Sequence, residues 1–198
     1  MSKLLNETKV LLTNVRLSYP HIFEPYAFEG QSEKYSASLI ISKDDKESLA
    51  IIKEAISGAM EVGESKLKGK SKKAIRIPLR DGDTDRAEDP AYENSFFINA
   101  NSTRAPQVVA LYADPKTKKP VFLDEEDVYP GCYVNVTINF FAYNTSGNVG
   151  IGAGLGNIQK YDDGERFGSA TSAESDFEFD DLPESSIDDD DVFPDFLS

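Results

Sequence analysis

Between Tyr133 and Tyr143 the chain alternates with period two, the pattern of a half-buried strand. Tyr133, Asn135, Thr137, Asn139, Phe141 and Tyr143 fall on one face, and Val134, Val136, Ile138, Phe140 and Ala142 on the other. A face meant only for water favours Lys, Glu and Thr, because exposed rings invite association. Rings set among small amides and hydroxyls suit the stacking of flat, polar-edged partners such as unpaired bases. The same mixture recurs in Phe97, Asn99 and Asn101, which alternate with Phe96, Ile98 and Ala100. A barrel corner with ordinary edge aromatics is the competing reading of these rings.

A second set of residues supplies charge. Lys66, Lys68, Lys70, Lys72, Lys73 and Arg76 put six cations into eleven residues with no acid among them. Such a stretch attracts phosphates, and Arg104, just after the Phe97 segment, adds another cation. Gly69-Lys70-Ser71 has the ending of a P-loop. However, five residues separate Gly63 from Gly69 where the motif needs four, and a helical pattern precedes it where a strand is required. Nucleotide hydrolysis is rejected on that basis.

Metal chemistry finds no ligand set. His21 is the only histidine and Cys132 the only cysteine, so no zinc cluster and no internal disulfide are expected. Asp81, Asp83 and Asp85 imitate the start of a calcium loop, but Arg86 stands where glycine is needed and Tyr92 where the bidentate Glu belongs. Metal-dependent nucleases need converging carboxylates, and the acids here fall in loops and at the C-terminal end. No cofactor and no enzymatic activity are expected.

The elements that must position these residues are mostly short strands. Val10–Tyr19, Lys34–Ser42, Ile75–Leu79, Phe96–Asn101, Val108–Tyr112 and Tyr133–Tyr143 read as strands, the first ending at Pro20. In the first, Leu11, Thr13, Val15, Leu17 and Tyr19 share a face. After the turn Asn144–Asn148 a return strand alternates Val149, Ile151, Ala153 and Leu155 with Gly150, Gly152, Gly154 and Gly156. Four glycines on one face weaken a strand, so they point to close backbone approach or strong coiling. One helix begins at Asp44, with Glu47 completing a capping signal, and Leu49, Ile52, Ala55, Ile56, Ala59 and Met60 form its apolar stripe. Gly63 is its stop. The result is mainly β with one helix, an OB-fold-like small β-barrel.

The net charge of −14 is unevenly placed. Residues 1–160 carry 20 Lys and Arg against 21 Asp and Glu, whereas residues 161–198 carry 1 against 14. The division predicts a neutral domain over 1–160 and a disordered acidic C-terminal tail over 161–198. The tail closes with Asp188, Asp189, Asp190 and Asp191, followed by Phe193 and Phe196. Apolar anchors behind an acidic run suit a docking peptide for a basic-rimmed pocket. The same acids could occupy the basic patch when nothing else does. No apolar run is long enough to span a bilayer, and a cytoplasmic location is expected.

The order of parts resembles single-stranded-DNA-binding proteins of bacteria and their phages. More narrowly, Arg16-Leu17-Ser18-Tyr19-Pro20-His21-Ile22-Phe23-Glu24-Pro25 is similar to the opening signature of the Enc34-type phage family. Lys34–Ala37, Phe97–Ala100, Gly131–Val134, Gly150-Ile151 and Leu155 with Asn157–Gln159 extend the resemblance over about residues 8–160. It implies an OB-fold that coats single-stranded DNA in phage replication or recombination, as a homodimer in the host cytoplasm. Lys66, Lys68, Lys70, Lys72, Lys73, Arg76 and Arg104 would then hold phosphates, and Phe97, Tyr133, Phe141 and Tyr143 would stack bases. Asp189-Asp190-Asp191-Val192-Phe193-Pro194 resembles the partner-docking end of bacterial single-strand-binding tails with its last residues reordered. A virion or scaffold protein that uses its sheet for protein contacts is the alternative.

Overall fold

The computed structural model describes residues 1–27, 30, 32–69, 74–145 and 148–168. Lys70, Lys72 and Lys73, and all of the acidic segment from residue 169 onward, lie outside the described residues.

β1 (Lys3–Leu4) lies against the start of β2 (Lys9–Tyr26), which pairs further along with β3 (Lys34–Ser42). After β3 the chain forms α1 (Lys46–Val62) and α2 (Glu64–Leu67). Then follow β4 (Leu79–Asp81), α3 (Gly82–Asp85) and β5 (Ser95–Ser102). β6 (Val108–Ala113) and β7 (Pro120–Phe122) form a hairpin, and β8 (Tyr133–Thr145) and β9 (Asn148–Asp162) form the long one.

The pairing runs β5-β3-β2-β8-β9, and a parallel contact between Asn101 of β5 and Gly154 of β9 closes the ring. Five strands joined first to second to third, then to fifth, fourth and back to first make a closed OB-fold barrel. Closure removes the free edges that five such strands would otherwise expose. The barrel interior is filled by Leu12, Leu17, Leu39, Ile98, Val136, Ile138, Phe140 and Ile151, all buried. These include the apolar faces that alternation predicts for β5, β8 and β9.

β2 departs from simple alternation. Val10 and Leu12 are buried, and so are Val15 and Leu17, with a register shift between the two pairs. Asn14 has φ +56°, and the extra residue there reverses which parity faces inward. Leu11 and Thr13 therefore do not share the buried face of Val15 and Leu17. The strand also continues past Pro20 to Tyr26. Further register shifts lie on either side of His21, and Pro is tolerated at such irregularities because no ladder N–H is required there.

α1 packs on β8, β2 and β1 through Leu49, Ile52, Ala55, Ile56 and Ala59. Its cap is Asp45, one residue later than the capping signal suggests, accepting from the Ser48 N–H at 3.0 Å. Gly63 ends it, with its N–H on the Ala59 carbonyl at 3.0 Å. A Cβ on Gly63 would lie 2.1 Å from that of Ala142, so glycine is what lets the helix end sit against β8. No described helix is long and apolar enough to cross a membrane.

The folded part continues beyond residue 160. Arg16 ties down the last described residues, donating from Nε to the Gly131 carbonyl at 3.1 Å and from Nη2 to that of Glu165 at 3.0 Å. Its guanidinium also lies 4.3 Å from the Phe167 ring centroid. Gly131 has φ +106°, and a Cβ there would stand 2.0 Å from the Glu165 carbonyl oxygen, so this crossing requires glycine. Tyr129 donates to Asp163 at 2.9 Å, and Lys160 pairs with the same carboxylate at 2.8 Å. The Lys160 bond, then the Tyr129 bond, hold Asp163 below the usual carboxylate range. Burial is the largest single influence on the Lys160 ammonium and pulls it down. Its bond to Asp163, together with the charge of Asp163 and the neighbouring Tyr129 and Cys132 groups, leaves it above its ordinary value.

Candidate nucleic-acid interface

The return-strand glycines form a shelf for aromatic rings. In the β8–β9 ladder Tyr143 faces Gly150 and Phe141 faces Gly152. A Cβ on Gly152 would stand 2.7 Å from Phe141 Cζ, and one on Gly150 would stand 2.8 Å from the Tyr143 hydroxyl. The Phe141 ring reaches on toward Gly154, whose added Cβ would be 3.7 Å from Cε1. The Cβ on Gly150 would also stand 2.7 Å from the Arg76 carbonyl oxygen, and one on Gly156 would stand 2.2 Å from the Thr137 hydroxyl. The glycines are thus covered by neighbouring residues and do not themselves form open floor. Phe141 packs the outer end of its ring against this shelf and remains 44% exposed, a platform open to solvent.

The basic segment is anchored beside that platform at both ends. Lys66 Nζ donates to the Ala142 carbonyl at 3.2 Å, and Asn144 Nδ2 donates to the Lys66 carbonyl at 3.1 Å. At the other end Arg76 forms a parallel bridge to Gly150. Its N–H donates to the Val149 carbonyl at 3.1 Å, and its own carbonyl accepts from Ile151 at 2.8 Å. Lys66, Lys68 and Arg76 are all exposed. Sequence reasoning separated this segment from the hairpin by some seventy positions, and the fold brings them together.

Arg104 comes in from the barrel closure. It is exposed, three residues past Asn101, whose partner Gly154 lies at the edge of the Phe141 ring. Tyr133 stands apart, ten residues from Tyr143 at the other end of β8. The Arg16 guanidinium lies 5.7 Å from its ring centroid, and an added Cβ on Gly164 would be 3.0 Å from its Cε2.

Phe97 needs correction. It is wholly buried and packs with Ile40 and Tyr92 in a small cluster on the outer side of β3 and β5. Tyr92 meets it edge-on at 5.1 Å, and its hydroxyl donates to Ser38 at 3.0 Å. Arg80 and Arg86 roof the ring at 5.1 and 5.9 Å. Alternation correctly set Phe97 on the face of Asn99 and Asn101, but the turn Pro90–Tyr92 folds over that end of the face. Phe97 supports the surface from beneath and offers no face to a base.

That surface contains residues the sequence reading passed over. A groove of about 490 Å³ is lined by Tyr19, His21, Tyr26, Lys34, Arg86, Asn99 and Asn101, with Ser36 and Ser38 in its floor. Tyr19 is 55% exposed with φ +43°, and Arg86 lies 5.6 Å from its ring. His21 and Tyr26 stack at 4.7 Å with their planes 16° apart. Pro20, read as the end of a strand, hid the ring cluster that follows it. Asn101 is paired with both Ser36 and Gly154, so this groove and the Phe141 shelf share one outer face of the barrel.

The aspartates of the calcium-like spacing are engaged elsewhere. Lys43 binds Asp81 at 2.7 Å and Asp83 at 2.6 Å, and Arg80 binds Asp85 at 2.8 Å. The hydrogen bond from Lys43, then that from the Asn94 N–H, hold Asp83 below the usual carboxylate range, and bonds to Asp81 and Asp83 raise Lys43. These pairs hold α3 and β4 against the end of β3.

The family model described as Enterobacter phage Enc34, ssDNA-binding protein, matches residues 8–193. The chain belongs to this Enc34 family. Protein p50 of Acyrthosiphon pisum secondary endosymbiont phage 1 is 33% identical over 186 residues, covering 88% of this chain and 94% of that protein. Among solved structures, the single-stranded DNA-binding protein from bacteriophage Enc34 in complex with ssDNA is similar, with a TM-score of 0.70 and 27% identity. That match covers 81% of this chain and 90% of the other. The C-terminal truncation of the Enc34 protein gives a TM-score of 0.69 at 26% identity, covering 84% of this chain and 92% of that one.

Proposed function

We propose that this protein coats single-stranded DNA without sequence preference in phage replication and recombination, in the host cytoplasm, as a homodimer. The observation that carries the reading is the Phe141 ring, held against a glycine shelf and 44% exposed, with Lys66 and Arg76 anchored to the same hairpin at Ala142 and Gly150. Every base has a π-face, so stacking on such a ring is indifferent to sequence. The solved Enc34 relative in complex with ssDNA supports the same reading.

In this account Phe141, Tyr143 and the Tyr19, His21 and Tyr26 cluster take bases, with Tyr133 a further ring at the far end of β8. Lys66, Lys68, Lys70, Lys72, Lys73, Arg76 and Arg104 take phosphates. The 14 acids of residues 161–198 against a single cation repel a DNA backbone and compete with it for the same cations. Asp188 to Asp191 with Phe193 and Phe196 recruit a replication or recombination protein when DNA displaces them.

The test is fluorescence anisotropy with labelled poly-dT and a mixed-sequence oligonucleotide of equal length, at several salt concentrations. The full chain is compared with one ending at Ser172. Both oligonucleotides bind alike, affinity falls steeply with salt, and the truncated chain binds more tightly. Equal affinity of the two chains would leave the tail as a docking peptide alone. Absence of binding by either folded chain would overturn the function.

A further inference from the structure

The β6–β7 hairpin belongs to neither ring cluster, yet it prolongs their surface. β6 runs parallel to β9, with Val109 across from Gln159, and Val109 also faces Phe122 of β7. Gln159 in turn faces Asn135 of β8. Paired residues on a ladder share a side. Asn135, Gln159, Val109 and Phe122 therefore form one row running outward from the barrel. Asn135 lies on the Phe141 face of β8, six residues earlier, or about 20 Å along the strand.

The outer end of this row is apolar and uncovered. Phe122 is 64% exposed, and Leu111, two residues beyond Val109 on β6, is 53% exposed. Leu111 lies in the stretch where the β6–β7 register shifts, and barrel packing requires neither side chain to be exposed. The tip beyond them carries Lys116, Lys118 and Lys119, all exposed. Its one acid is committed to the turn. Asp114 Oδ1 accepts from the Lys116 N–H at 2.9 Å, the Thr117 N–H at 2.6 Å and the Thr117 hydroxyl at 3.0 Å. These bonds fix the backbone of the tip from which the three lysines project. The acids at 124–127 come after β7, so the positive charge is concentrated at the tip.

We propose that the β6–β7 hairpin is a second DNA-contacting arm, which extends the path of a bound single strand beyond Phe141. Phe122 and Leu111 lie against bases, and Lys116, Lys118 and Lys119 against phosphates. The proposal rests on the single-strand-binding reading. It follows from continuity with that face and from the pairing of apolar contact with clustered cations, which is what a flexible polyanion with exposed bases requires.

The test uses the full chain carrying Lys116→Gln, Lys118→Gln and Lys119→Gln together, and separately Phe122→Ala. Anisotropy is measured with dT oligonucleotides of about 6 and about 20 nucleotides, within and beyond the reach of one barrel face. Both variants bind the short oligonucleotide as the unaltered protein does and lose at least tenfold on the long one. The lysine variant also shows a salt dependence shallower by about 2 in logarithmic slope, at ~0.7 per phosphate on single strands. Unchanged binding of the long oligonucleotide would overturn the arm while short-oligonucleotide binding upholds the function. Failure of the unaltered protein to bind either length would overturn the function itself. A loss of self-association in light scattering with the salt slope intact would make the arm a contact between copies and overturn its role on DNA.

Discussion

Replacing Phe141 and Tyr143 together by alanine lowers affinity for poly-dT by about twenty-fivefold or more and moves the melting temperature by no more than about 5 °C. Stacking of one base on one ring is worth about 1–3 kcal/mol, and about 1.4 kcal/mol is a factor of ten. Two rings at the lower limit already give that loss. The small effect on stability follows from where the rings lie. Phe141 is 44% exposed and sits outside the barrel on a glycine shelf, so its removal opens no internal cavity. Equilibrium titration and thermal melting of the same variant provide the check. A variant that melts normally and still binds normally would remove the rings from the interface.

Phe140→Ala, one residue away, has the opposite outcome. Phe140 is 1% exposed and points into the barrel among the side chains that hold its strands together. Truncating a buried Phe costs about 3–5 kcal/mol through lost burial and the cavity left behind. In a body of this size that corresponds to a fall of roughly 6–20 °C in melting temperature. Below the transition, where the variant remains folded, its poly-dT affinity stays within about threefold of the unaltered protein. The adjacent pair thus separates folding from binding, because successive side chains on a strand point to opposite faces. A loss of affinity without a loss of stability in Phe140→Ala would contradict that division.

The parts of this architecture written as local periodicity were legible from the sequence. Val134 to Ala142 and Val149 to Leu155 alternate without interruption, and the stripe from Leu49 to Ala59 is helical. Where a single residue broke the period, reading the sequence failed. Asn14 inserts a bulge into β2 and reverses its inward parity, and Pro20 sits in a strand that runs on to Tyr26. Both are tertiary decisions, since a bulge is stabilised by the strands on either side of it. The site shows the same divide. Phe141, Tyr143 and the cations were identifiable by type, but their meeting depends on Arg76 bridging Gly150 and Lys66 reaching Ala142. Phe97 misled because alternation assigns a face and says nothing of what covers it, here Tyr92 and two arginines. The glycines pointed correctly to close approach, and the approaching groups differ along the strand: the Arg76 carbonyl and Tyr143 hydroxyl at Gly150, the Phe141 ring at Gly152 and Thr137 at Gly156.

The most direct measurement is photocrosslinking of 5-iodouracil-substituted oligo-dT to the full chain, with the adducts mapped by mass spectrometry. Halogenated uracil joins to aromatic side chains it stacks on, so the adducts record which rings carry bases. Adducts on Phe141 and Tyr143, with others on Tyr19 or Tyr26, are the predicted result. Adducts confined to the α1 side of the barrel, with those four rings unmodified, would contradict a DNA path over the glycine shelf.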